Sequence, residues 1–94
     1  MIYRLTKRAK TDLERIYHYT IEQFGYDQAI LYLGGLETKF ELLCTHPRLG
    51  QLIRDDRYRL THEEHIILYR LVGHEVRIIR VWSPRRRSLP KGWA

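Results

Sequence analysis

Cysteine occurs once in the 94 residues, as Cys44, which excludes a disulfide framework within the chain and favours a reducing compartment. Set in a helical apolar pattern, that thiol reads as a small core side chain rather than a nucleophile. Serine is nearly as scarce: Ser83 and Ser88 both lie in a basic C-terminal stretch, so a Ser/His/Asp triad cannot be inferred. Long apolar runs are missing too. Nothing approaches the roughly 18 residues of a membrane span, and MIYRLTKRAK has no apolar core of signal-peptide length. The expectation is a cytoplasmic protein with no membrane partner. Acidic residues are outnumbered, 11 against 17 Lys and Arg, and the net charge of +6 favours an anionic or acidic partner without specifying which. The only Gly-Gly pair, Gly34–Gly35, falls in mid-helix rather than at a helix start, so no phosphate loop is present. Of five histidines only His62 and His65 are near each other, beside Glu63 and Glu64, and no second ligand cluster accompanies them. No metal and no cofactor are expected.

What is present is enough for one folded domain spanning 1–94, with a basic tail from about residue 83. Apolar residues make up 44% and aromatics 12%, which a single small core requires. IYRL (2–5) reads as a strand, and Thr6 caps a helix to about Phe24. On that helix Ala9, Leu13, Ile16, Tyr17, Thr20 and Phe24 form one stripe. Gly25 stands where a left-handed C-terminal residue is wanted. Asp27 then caps a second helix, Gln28 to about Cys44, with Ala29, Leu33, Leu36, Phe40, Leu43 and Cys44 on its core stripe. The short connection implies an antiparallel helical hairpin. A second stripe lies opposite: Leu31, Gly35, Thr38 and Leu42. Glycines in mid-helix cost about 1 kcal/mol each relative to Ala, and they admit another backbone, either within the monomer or from a partner. HPRLGQ closes the helix. Arg57–His62, His65–Leu71 and Glu75–Trp82 read as a meander joined by short turns. The expected fold class is α+β, in the order β-α-α-β-β-β, with the N-terminal strand and helical hairpin packed on an antiparallel sheet.

The chain closes on RVWSPRRRSLPKGWA. Arg70, Arg77, Arg80 and Arg85 could surround a scissile phosphate, but cleavage also needs a general acid and a general base within hydrogen-bond reach. Helix one carries Lys7, Arg8, Lys10 and Arg15, interrupted by Asp12 and Glu14, so a helix reading DNA sequence in the major groove is not expected.

YRLTKRAKTDLERIYHYT, FGYDQAILYLGGLETKFELL, HPRLG, HIILYRL and IIRVWSPRR, in that order and spacing, resemble the ParE toxins of the RelE/ParE superfamily from Ile2 to about Arg86. The resemblance implies the toxin half of a bacterial type II toxin–antitoxin pair. RelE-like members are ribosome-dependent mRNA endonucleases; ParE-like members trap DNA gyrase in its DNA-cleaved state and are neutralised by a ParD-like or similar antitoxin. The nucleases carry a basic residue where this chain has an apolar one near Ile66, and a tyrosine beyond the last strand, whereas no tyrosine here follows Tyr69. Arg85 matches a nuclease arginine, but an arginine does not transfer protons at neutral pH. The resemblance therefore implies a non-enzymatic gyrase inhibitor with no catalytic residues. It acts on gyrase through the GyrA subunit, sits in a toxin–antitoxin hetero-oligomer, and makes no sequence-specific contact with nucleic acid. The mRNA endonuclease is the alternative. The expected target-binding residues are Arg80, Trp82, Arg85, Arg86, Arg87 and Trp93; the expected antitoxin-binding residues are Leu31, Gly35, Thr38 and Leu42. The chain departs from the ParE pattern at Ser83, where a histidine is common, and at Arg87, where an acidic residue is common.

Overall fold

A computed structural model of the chain describes residues 1–84. Strand β1 (Ile2–Leu5) leads into helices α1 (Lys7–Phe24) and α2 (Tyr26–Thr45), followed by β2 (Gln51–Arg54), β3 (Arg57–His62), β4 (His65–Val72) and β5 (Glu75–Trp82). The strands form one sheet in the order β1-β5-β4-β3-β2. β2 to β5 make an antiparallel meander, and β1 returns to pair in parallel with β5. The α+β class and the helical hairpin on a sheet agree with the sequence reading.

The sequence pattern does not predict β2. QLIR lacks apolar–polar alternation, and all four of its residues are exposed, so the pattern that marks a half-buried strand is missing. The strand forms because the Asp55–Asp56 turn, with Asp55 at φ 51°, folds it back on β3. Two similar turns complete the meander, one with Glu63 at φ 51° and one with Gly73 at φ 62°.

Thr6 caps α1 as expected. Its hydroxyl oxygen accepts from Ala9 N at 3.1 Å and the same hydroxyl donates to Ile79 O at 2.9 Å, tying the helix start to β5. Gly25 takes φ 93° and ψ 167°, outside the expected left-handed helical basin, and its N–H closes α1 on Ile21 O. The same residue is the N-cap of α2, so Asp27 lies inside the first turn rather than at the cap. There its charge still opposes the positive end of the helix dipole. Phe24, placed on the core stripe by periodicity, is 64% exposed and lies outside the core.

The core joins Ala9 and Ile16 of α1 and Leu36, Phe40 and Leu43 of α2 to Tyr58, Ile67, Tyr69, Val76, Ile78 and Val81 of the sheet. Tyr69 is fully buried and stacks on Tyr58 at 5.3 Å between ring centroids. Its hydroxyl donates to Pro47 O at 2.8 Å and accepts from Gly50 N at 2.9 Å, which fastens the α2–β2 connection to the core. A Cβ on Gly50 would stand 2.6 Å from Arg59 O, so this close approach admits no side chain. Among the described residues, no helix is long and apolar enough to cross a membrane.

Candidate partner-binding surfaces

α2 is apolar around most of its circumference. One side fills the core, while Leu31, at 69% exposure, Leu42 and Ile30 face outward. Leu31, Thr38 and Leu42 of the predicted stripe are exposed, and the Thr38 hydroxyl donates to Gly34 O, so it remains on the helix surface. Gly35 differs from the other three. It is half-buried against the imidazole of His62, whose Nε2 would stand 3.3 Å from a Cβ at this position. Packing within the monomer thus accounts for Gly35, whereas nothing within 4 Å accounts for Gly34.

Beneath this helix the two neighbouring histidines meet Tyr32. Its hydroxyl lies 2.5 Å from His65 Nδ1 and 3.3 Å from His62 O, and its ring centroid is 5.7 Å from that of His62 and 5.3 Å from that of His65. Burial and the nearby Glu63 and Glu64 push the Tyr32 phenol up to about 12, so it stays protonated. Burial, with Lys39 adding to it, pushes the His62 imidazole below its usual value and keeps it neutral. Phe24, Gln28, Tyr32, Glu63, Glu64 and His65 are among the residues lining a cavity of about 190 Å³ at this end of the molecule. Among the described residues, no group of three or more His, Cys, Asp or Glu is placed to hold a metal ion. The Cys44 thiol is pushed up by burial, and its sulfur lies 3.6 Å from Phe40 O, which suits packing better than nucleophilic attack.

Of the residues expected to contact the target, Arg80 is held inside the fold. Its Nε and Nη2 donate to Asp12 at 2.8 and 3.1 Å, in a pair whose side chains are 13% and 8% exposed, and Val81 N donates to the same carboxylate at 2.9 Å. β1 ends opposite Ile78, so the edge of β5 beyond it needs other partners. Thr6 takes the carbonyls of Ile78 and Ile79, and Asp12 takes Val81 N–H. Asp12, an interruption of a basic face in the sequence, is thus the anchor of α1 to the sheet. Trp82 is half-buried and pairs in register with Ile66. Arg85, Arg86, Arg87 and Trp93 lie outside the described residues.

Sequence reasoning named Arg70 and Arg77 as possible phosphate-binding charges but missed that they belong to a row of arginines on the sheet face opposite the helices, with Arg4, Arg54 and Arg57. Arg54 pairs in register with Arg57, Arg57 with Arg70, Arg70 with Arg77, and Arg77 with Arg4. Cross-strand partners point to the same side, so all five strands contribute one arginine to a single line. Asp56 takes Arg70 in a two-bonded pair at 3.2 and 3.0 Å, and Glu75 holds Arg4 and Arg77 at 2.9 Å each. These arginines hold both carboxyls below the usual range.

A short strand, a helical hairpin and a returning antiparallel sheet define the RelE/ParE toxin class of fold. Among solved structures the chain is similar to a chromosomal ParDE toxin–antitoxin system from P. aeruginosa, with TM-score 0.77, 22% identity, and 88% of this chain and 95% of that one covered. It is also similar to the isolated E. coli RelE toxin, with TM-score 0.62, 16% identity, and 90% and 85% covered. Within that class, residues 3–88 match the family of ParE toxins of type II toxin–antitoxin systems, and the chain belongs to it. Toxin ParE1 of Caulobacter vibrioides is 39% identical over 82 residues, 84% of each chain. Toxin ParE1 of Mycobacterium tuberculosis is 31% identical over 87 residues, 88% of this chain and 89% of its own.

Proposed function

We propose that this toxin acts by binding a protein, DNA gyrase through its GyrA subunit, rather than by cutting RNA, and that a cognate ParD-like antitoxin holds it in check. The observation that carries the reading is the ParE family match over residues 3–88, joined to what stands where RNA chemistry would need catalytic groups. Ile66, near the position of a nuclease's basic residue, is apolar and buried. The arginines of β4 and β5 have carboxylates as partners: Arg70 has Asp56, Arg77 has Glu75, and Arg80 has Asp12. Glu75 and Asp56, held below the usual carboxylate range, are correspondingly poor bases.

For the antitoxin, the exposed face of α2 around Leu31, Thr38 and Leu42 suits an amphipathic partner helix, with Gly35 at its floor. The exposed edge strand β2, with Leu52 and Ile53, suits addition of an extended segment. The gyrase contact is assigned to Trp82 and the tail beyond it, with Arg85, Arg86, Arg87 and Trp93 the residues to change first. Arg80 supports that segment from within the fold. Purified toxin should inhibit gyrase supercoiling and accumulate cleaved DNA, and truncation after Ser83 should remove this effect while sparing antitoxin binding. Gyrase left unaffected at micromolar toxin would overturn the proposal. Cleavage of ribosome-bound message, lost in Arg85→Ala, would replace it with an endonuclease.

A further inference from the structure

We infer that the open face of the sheet is a second binding surface, one that takes the phosphate backbone of duplex nucleic acid without reading its sequence. The inference goes beyond gyrase binding and does not depend on it.

The basis is the arginine row. Strands in a sheet lie about 4.8 Å apart, so five arginines in register extend over roughly 19 Å. Arg4, Arg77 and Arg70 have side chains 66%, 40% and 37% exposed. Their carboxylate partners orient them without consuming them. Each guanidinium carries five donors, and Glu75 engages only Nε of Arg4. The Arg70–Asp56 pair is exposed on both sides, 37% and 42%, and surface pairs of this kind contribute little. At the β2 end the row is less neutralised. Arg54 and Arg57 flank, with Arg70, Asp55 and Asp56, an open groove of about 480 Å³, and the charge of Arg57 acts on Asp56 without a close ion pair between them. Against five arginines the row holds Glu75 and Asp56, with Asp55 at its end, and it remains net positive.

Charge alone would also admit an acidic protein. A stable protein interface, however, is built around buried aromatic or aliphatic anchors, and here the neighbouring apolar side chains of β4, Ile66 and Leu68, are already buried. Among the described residues, apart from the β2 edge and Met1–Ile2, the exposed apolar residues lie on or just after the helices, such as Phe24, Tyr26, Leu31 and Leu42. Nor does any residue of the row offer an aromatic ring for stacking, as a single-stranded ligand would want. Five guanidinium groups in line at strand spacing match the repeating phosphates of a duplex, while Ile2 and the half-buried Trp82 flank the row on the same face rather than stand in it.

The test uses the full-length protein and a fluorescently labelled random-sequence duplex DNA, followed by anisotropy across a salt series, with no gyrase present. Affinity should fall steeply with salt, with a slope near −0.9 per phosphate engaged. Arg54→Ala/Arg57→Ala should flatten that slope by about two units and weaken binding at low salt by on the order of tenfold or more. Arg54→Glu, at an exposed position, should weaken binding with no change in melting temperature. Two results would overturn the inference. One is that no duplex binding is detected at about 50 mM salt while the row variants lose affinity for a polyglutamate peptide, which would assign the face to an acidic protein. The other is that the row variants bind duplex normally while Arg85→Ser/Arg86→Ser/Arg87→Ser does not, which would assign binding to the tail.

Discussion

Asp12 and Arg80 illustrate how a charge changes meaning once its surroundings are known. In the chain Asp12 interrupts a basic stretch and Arg80 belongs to the basic last strand; in the fold they are a buried, two-bonded pair that also satisfies Val81 N–H. Removing one partner leaves the other charge buried and uncompensated, so Asp12→Ala or Arg80→Ala should cost about 3–5 kcal/mol in urea denaturation. Loss of toxicity in Arg80→Ala would then accompany loss of fold, unlike loss caused by a tail substitution. Tyr69→Phe keeps the ring stack but strands Pro47 O and Gly50 N, and should cost about 1–3 kcal/mol. His62 adds a pH dependence. Its folded-state imidazole is held below the ordinary value of 6.5, so the unfolded chain takes up the proton first. This contribution to stability is complete above about 6.5 and is lost as pH falls from there towards the folded-state value. Replacing His62 with Gln should make the stability curve flatter over that interval, measured as melting temperature against pH.

At the scale of elements, the two helices differ in how far their patterns could be read. α1 has one apolar stripe and one polar face, and its N-cap, length and burial largely follow from its pattern; Phe24, in its last turn, is the stripe residue that stays exposed. α2 is apolar on two sides, so periodicity shows both stripes without saying which is core. Gly34 and Gly35 separate on contact. Gly34 has helical backbone and open space where a Cβ would stand, so Gly34→Ala should stabilise the protein by about 1 kcal/mol in thermal or urea melts. Gly35→Ala should gain less or nothing, because its methyl group presses on His62. Leu31→Asp should weaken antitoxin binding by calorimetry while leaving the melting temperature unchanged, since Leu31 touches mainly solvent. The strands show the limits of alternation. β3, β4 and β5 were legible as strand-like runs joined by short turns, β4 being buried on both faces over His65–Tyr69, but β2 buries nothing, so its pattern carried no signal and only its turn does. With that turn known, the arginine row becomes readable: three two-residue turns, Asp55–Asp56, Glu63–Glu64 and Gly73–His74, set the register of Arg54, Arg57, Arg70 and Arg77.

At the scale of the molecule, the surfaces are divided by chemistry. Among the described residues most exposed apolar side chains lie on or just after the helices and on the β2 edge, with Met1 and Ile2 besides, while the sheet face opposite the helices carries a line of arginines. Family and fold were legible because the motifs keep their order along nearly the whole chain. The site was legible only in part, since Arg80 is recruited by a residue 68 positions away and no local pattern records such a pairing. The most direct test of the central claim is a gyrase supercoiling and DNA-cleavage assay with the purified toxin, with and without antitoxin. Supercoiling should fall and cleaved DNA accumulate with toxin alone, and both effects should vanish when antitoxin is added. Unchanged gyrase activity, with ribosome-bound mRNA cut by the same preparation, would contradict the account.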